Sequence, residues 1–297
     1  MKHEIGISLS GGGARGIAHI GVLQALEENG IFPGVISGAS AGAIVGALYA
    51  AGKRPLEILD IFQDSSLIRL FKVSLPTIGL TDNSYIKEIL AQHIATDDFA
   101  ALEKELYISV TNLSRGEYEI IYQGELFEIV ATSSSIPILF KSREIRGDLY
   151  ADGGLLNNLP VEPLRSQCRY LIGVNVTPIF YEPDLSNLLQ IGYRTLDLVM
   201  WSNVEPRLRR CDVVIQPAAD VYGFFDMHKT EEIFTLGYEA AMEIMPDLLH
   251  RVSGRYSLPV RFRSATVART FARKPSSLFQ RLWEWARFFW RKWFGKK

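Results

Sequence analysis

The chain is short of cysteine and histidine and has no long uncharged apolar run. Its two cysteines, Cys168 and Cys211, sit in unrelated contexts among 297 residues. They imply no disulfide framework and read as buried small hydrophobes in a reducing compartment. No grouping of residues has metal-ligand spacing, and neither a metal nor an organic cofactor is expected. No stretch of 18 or more uncharged apolar residues occurs, which argues against a membrane-spanning helix. The opening residues, Met1 to Gly13, lack a charged segment followed by a long apolar run, so no secretory signal is expected there and a cytoplasmic location is. There is no internal repeat and no low-complexity tract.

What is present is an ordinary globular composition, 47% apolar and 22% charged, enough for a sizeable core. The net charge of −1 hides an asymmetry. Arg261 to Lys297 holds 11 Lys/Arg and one acid, Glu284, a net of +10, which leaves −11 for Met1 to Val260. An acidic body with a basic tail points to an anionic partner for the tail. We therefore divide the chain into a body, 1–260, and a tail, 261–297.

The body begins with a short strand, Glu4 to Ser10, followed at once by Gly11, Gly12, Gly13 and Gly16. Ile17 to Asn29 has helical apolar spacing and Gly30 as its C-cap. Val35 to Ser37 is a second strand, Gly38 to Gly42 a sharp turn, and Ala41 to Ala51 an Ala-rich helix closed by Gly52. This β-α-β-α order predicts a mostly parallel sheet covered by helices. Further along, a helix is expected from the Thr81-Asp82-Asn83 cap to His93, a hairpin from Leu106 to Tyr122, a helix from Phe127 to Ser133, strands at Tyr170 to Val176 and Val213 to Gln216, and a helix from Ile233 to Leu249. Asp60 to Leu80 is apolar but irregular, and Ile61 to Leu80 is the candidate wall for an acyl chain.

Gly38-Ala39-Ser40-Ala41-Gly42 fits a nucleophile elbow. A serine on a tight strand-to-helix turn has a crowded backbone, which glycines two residues to either side relieve. The turn also sets the hydroxyl at a helix N-terminus, where developing negative charge is favoured. The alternative is an N-cap serine beside a glycine turn. The run Gly11-Gly12-Gly13-Ala14-Arg15-Gly16 lets backbone N–H groups converge on an anion. It also matches a dinucleotide-binding pattern, but that site wants an acidic residue at the end of the second strand, where Ser37-Gly38-Ala39-Ser40 stands instead. The pairing with Ser40 favours an oxyanion role. Arg15 could pin the loop, contact a phosphate-bearing substrate, or be a surface charge.

No histidine is in a motif-like setting. His3 precedes the first strand, His19 lies on the glycine-loop helix, His93 and His250 lie near helix ends, and His228 is the one free candidate, in a Gly/aromatic loop. Asp152-Gly153-Gly154 follows a strand-like approach, and its glycines let the carboxylate turn toward a neighbour. A carboxylate can activate a serine if it is partly desolvated. A turn-forming aspartate is the alternative.

These three blocks, in this order, resemble the patatin-like phospholipase family, whose pattern is G-G-G-x-R-G, then G-x-S-x-G about 25 residues on, then D-G-G or D-G-A. Ser133-Ser134-Ser135-Ile136-Pro137 with Phe140 looks like a further block of that family, and the segment Ala14 to Leu23 is like its bacterial members. The resemblance covers about residues 4 to 250. It implies a three-layer α/β/α fold with a mostly parallel central sheet. It implies Ser40 as nucleophile, Asp152 as its sole partner in a Ser–Asp dyad, and the glycine run as the oxyanion hole, Gly11 included and Gly12 and Gly13 chiefly. The implied activity is hydrolysis of carboxylic esters of phospholipids or related lipids through an acyl-enzyme. An acyltransferase or thioesterase using the same dyad is the rival within enzymes, and a membrane-bound lipid-binding protein the rival outside them.

The tail lies outside the resemblance. In Ser276 to Phe294, Leu278, Phe279, Leu282, Trp283, Ala286, Phe289, Trp290 and Trp293 fall at helical spacing on one side, with Gln280, Glu284, Arg287 and Arg291 on the other. Trp283, Trp285, Trp290 and Trp293 are four of the chain's five tryptophans. A basic amphipathic helix with interfacial aromatics is the pattern of a helix lying in a membrane surface. The expected partner is an anionic membrane, contacted peripherally at its inner face. The alternative is a helix packed on its own body or in a dimer. Nucleic acid fits poorly, because the aromatics form a stripe instead of alternating with the basic residues.

Overall fold

The computed structural model describes residues 1–64, 82–137, 139–179, 185–186, 188–224 and 226–252. The basic tail and most of the expected acyl-chain wall lie outside them. The strands are β1 (His3–Leu9), β2 (Val35–Gly38), β3 (Glu105–Asn112), β4 (Glu117–Ile121), β5 (Arg143–Ile145), β6 (Asp148–Asp152), β7 (Cys168–Val174) and β8 (Val213–Ile215). The helices are α1 (Ile17–Glu28), α2 (Ala41–Ala50), α3 (Pro55–Gln63), α4 (Tyr85–His93), α5 (Leu126–Ser133), α6 (Gly154–Asn157), α7 (Glu162–Arg165), α8 (Leu188–Leu208) and α9 (Thr230–Val252).

The strands form one sheet in the order β5-β6-β3-β2-β1-β7-β8, with β4 also paired to β3. From β3 to β8 the neighbours are parallel, while β4, β5 and β6 add antiparallel pairs. The register around β3 decides where the site forms. Ile108 pairs with both Gly38 and Ile121, so β2 and β4 lie on opposite edges of β3. Val110 pairs with both Glu119 and Asp152, so β6 lies opposite β4, on the edge that β2 uses. The ends of β2 and β6 therefore meet head-on along one edge, two residues or about 7 Å apart in register.

Side chains alternate across this sheet. Ile5, Ile7 and Leu9 of β1 join Ile172 and Val174 of β7 in a core with α1, α2, α3 and α9. Val35 of β2 and Leu171 of β7 face the other way, toward Leu164 of α7 and Val204 and Leu208 of α8. Two cores on opposite faces make three layers. α1 and α9 pack closely because Gly21 and Gly237 each face the other helix's backbone, where a Cβ would collide. Gly30 closes α1 at φ +73°, the left-handed C-cap. Neither α3, which ends within the first residues of the segment read as irregular, nor α8 was expected. No described helix is long and apolar enough to cross a membrane.

Candidate active site

Ser40 sits between β2 and α2 at φ 51°, ψ −121°, left-handed backbone that a serine adopts only under constraint. Local chemistry supplies part of the constraint. A Cβ on Gly38 would run into the Gly42 backbone, and one on Gly42 into Leu9 and Ser10, so only glycine lets the turn close this tightly. The remainder is tertiary. The Ser40 N–H donates to Ser133 Oγ at 2.9 Å, and that hydroxyl donates to the Ser109 carbonyl at 2.7 Å.

The same end of α5 holds Asp152. The Asp152 N–H donates to the Ser135 carbonyl at 2.9 Å, and the Gly153 N–H to the Ser133 carbonyl at 3.2 Å. Ser133 thus holds Ser40 through its side chain and the Asp152 turn through its main chain. The Gly154 N–H donates to Asp152 Oδ1 at 2.7 Å. Oδ2 is buried and accepts no hydrogen bond of ordinary geometry among the described residues. The Ser40 hydroxyl faces this carboxyl and, by hydrogen bonding toward it, favours its ionised form. Burial pushes the Asp152 carboxyl up to about 7, against the opposing pull of Ser40 and the Gly154 amide.

The glycine loop is a 3-10 turn, Gly13–Gly16, entered through Gly11 and Gly12. It lies beside the elbow. A Cβ on Gly11 would stand 3.0 Å from Ser40 Cβ, and one on Gly16 would collide with Ala41. Gly13 has φ +58° and faces the Phe224 ring. The three expected donors are not equivalent. The Gly11 N–H is engaged with Asn158, at 3.0 Å to Oδ1 and 3.3 Å to the carbonyl, so Gly11 is withdrawn from the expected set. Those of Gly12 and Gly13 have no acceptor among the described residues. The Arg15 side chain makes no hydrogen bond or ion pair among the described residues, and its Nε is buried; pinning of the loop by that side chain is not seen there.

Sequence reasoning missed Asn158 and Asn203. The Asn158 N–H donates to Asn203 Oδ1 at 2.8 Å, and Asn203 Nδ2 donates to the carbonyls of Gly154 and Leu155 at 3.1 and 3.2 Å. These two asparagines tie the Asp152 turn to the glycine loop. His19 is a support of the loop. Its Nε2 donates to the Ser10 carbonyl at 2.7 Å, and burial, which that bond partly offsets, holds the imidazole down at about 4, neutral at physiological pH. His228 is exposed, in a turn at Met227–Lys229. Among the described residues no three His, Cys, Asp or Glu are grouped to hold a metal ion. Cys168 and Cys211 are free and buried.

Fold and site together define an α/β protein with a serine elbow, a facing buried carboxyl and a glycine loop with two amides that have no acceptor among the described residues. The sequence pattern of the patatin-like phospholipase family matches residues 7–165, over half of the chain, and the chain belongs to that family. Curated relatives include lysophospholipase NTE1 of Saccharomyces cerevisiae, 28% identical over 271 residues, and lysophospholipase nte1 of Aspergillus niger, 29% identical over 271 residues. Each match takes in 79% of this chain but only 16% and 18% of those much longer proteins. Among solved structures, VipD from Legionella pneumophila has the same fold, with a TM-score of 0.51 at 18% identity over 83% of this chain and 67% of that one.

Proposed function

We propose that this chain is a serine lipid acyl hydrolase that cleaves carboxylic esters of phospholipids or related lipids through a Ser40–Asp152 dyad. One observation carries the reading: the Ser40 hydroxyl lies against a buried carboxyl that burial raises to about 7 and whose Oδ2 has no other described partner. Such a carboxylate is a competent base near neutrality. Ser40 Oγ attacks the ester carbonyl while its proton passes to Asp152 Oδ2. The Gly12 and Gly13 amides hold the oxyanion. Collapse of the tetrahedral intermediate breaks the ester C–O bond. The leaving alcohol takes the proton from Asp152, and the acyl group stays on Ser40. Water then attacks, giving its proton to Asp152, and the fatty acid leaves as Ser40 regains a proton. The chemistry calls for no metal or organic cofactor.

The NTE1 relatives are named lysophospholipases, which places lysophospholipids in the substrate panel beside diacyl phospholipids. The tail, 261–297, is proposed to hold the protein peripherally on an anionic, cytoplasm-facing membrane surface through Trp283, Trp285, Trp290, Trp293, Arg287 and Arg291. The test is a lipid-ester panel on wild type, Ser40→Ala and Asp152→Asn, with and without the tail. Loss of turnover and of fluorophosphonate labelling in Ser40→Ala, with loss of turnover in Asp152→Asn, supports the dyad. Equal turnover in all three rejects it. Acyl transfer to added alcohols in preference to water would reassign the enzyme as an acyltransferase. Unchanged binding to anionic vesicles after truncation rejects the tail's role.

A further inference from the structure

Helix α8 joins the parallel neighbours β7 and β8, so it runs antiparallel to them and starts at their C-terminal ends. The glycine loop and Ser40 emerge from that same edge of the sheet. Helix α8 has 21 residues and is about 31 Å long, while the seven-residue β7 spans about 23 Å. The helix outruns the strand it packs beside, and its first turns reach toward the site end.

The exposed positions of α8 include 191, 195, 198, 199, 202 and 206, one stripe at helical spacing. Its site-end half is apolar: Ile191, Leu198 and Val199 are 46%, 47% and 40% exposed. The two hydroxyls in the stripe turn back onto their own helix, Thr195 Oγ1 donating to the Ile191 carbonyl at 2.8 Å and Ser202 Oγ to the Val199 carbonyl at 2.7 Å. Beyond them the exposed surface becomes polar, with Arg209 and Arg210. The opposite side of α8 backs the site itself. Met200 Sδ lies 3.3 Å from where a Cβ on Gly154 would be, and Asn203 holds the Gly154 and Leu155 carbonyls. Leu185, ahead of α8, and Val221, after the C-terminal end of β8 and 56% exposed, add to the apolar surface of this edge. Arg194, Asp197 and Asp220, charged residues of the same region, are of both signs and each has a partner.

We propose that this apolar rim, the α8 stripe with Leu185 and Val221, is where the body seats on a lipid surface, so that the ester meets Ser40 without leaving the interface. The inference rests on the lipid hydrolase reading for its occupant. An apolar face bound to the Asp152 turn on its other side, carrying charges of both signs, suits an uncharged or zwitterionic lipid surface and sets it apart from the cationic tail.

The test uses the full chain and three proteins: wild type, the double variant Leu198→Asp/Val199→Asp, and Phe32→Asp, a control 59% exposed in the turn that enters β2, at the opposite edge of the sheet. Phosphatidylcholine vesicles in about 1 M NaCl, where charges are screened beyond about 3 Å, suppress attraction through the tail. Co-sedimentation with vesicles and the ratio of the rate on vesicles to the rate on a soluble short-chain ester are measured, with oligomeric state by sizing. In the double variant both the vesicle affinity and the rate ratio should fall about ten-fold or more, with Phe32→Asp at wild-type values. Wild-type co-sedimentation and ratio in the double variant, an equal loss in Phe32→Asp, or conversion of a dimer to a monomer with the ratio unchanged would each overturn the proposal. If wild type hydrolyses neither substrate, the hydrolase reading fails and co-sedimentation alone still decides the surface.

Discussion

Asp152→Asn offers a thermodynamic test of the site that needs no substrate. Burial raises the Asp152 carboxyl from 3.8 to about 7 in the folded protein. Between those values the folded state binds more protons than the unfolded chain, so stability falls as pH rises from 3.8 and levels off above about 7. A shift of about three units at about 1.4 kcal/mol each makes the ionised carboxylate cost about 4 kcal/mol at pH 8. The asparagine amide that replaces it carries no charge, keeps an oxygen for the Gly154 N–H and is nearly isosteric. The variant should therefore be more stable than wild type by about 4 kcal/mol at pH 8, with the gain shrinking through pH 6 and vanishing near pH 4. His19 titrates in both proteins and cancels in the difference. Urea unfolding of the pair at several pH values measures it, and in wild type kcat/KM should fall on its acid side with a midpoint near 7. A stability difference that does not change between pH 5 and 8 would refute a buried carboxyl of raised pKa, and with it the base we assign.

Two substitutions address the framework around the dyad. Ser133→Ala leaves the buried Ser40 N–H without its acceptor, at a cost of about 1–3 kcal/mol, so urea unfolding should show that loss, and kcat should drop about ten-fold or more with little change in KM; wild-type kcat would mean that the elbow does not depend on this bond. Asn158→Ala removes the side-chain acceptor of the Gly11 N–H, and fluorophosphonate labelling of Ser40 should slow in the same proportion as kcat/KM, because both use the same oxyanion donors; slowed turnover with normal labelling would place Asn158 outside that function.

Much of the fold was legible because it is written in local chemistry. Alternation marked β1, a buried apolar run marked β7, helical spacing and Gly30 marked α1, and the glycines of the elbow announced a turn too tight for any side chain at 38 or 42. Helix α8 escaped because its apolar residues lie on two sides, Val204 and Leu208 toward the core and Ile191, Leu198 and Val199 toward solvent, so no single stripe stands out. Helix α3 was missed although Pro55 stands at its first turn, and only its last four residues fall in the segment read as irregular.

By itself the sequence determined the parts: a glycine loop, an elbow serine, an aspartate before two glycines, and the order of strands and helices that carry them. Only the tertiary structure decided how they act on one another. Ser40 and Asp152 meet because β2 and β6 share one edge of β3, a matter of register between strands far apart in the chain. Ser133, Asn158 and Asn203 bind partners 93, 147 and 49 residues away, and no local pattern encodes such bonds. The raised pKa of Asp152 is likewise a property of the assembled fold, since a carboxyl loses its water only when the layers close over it.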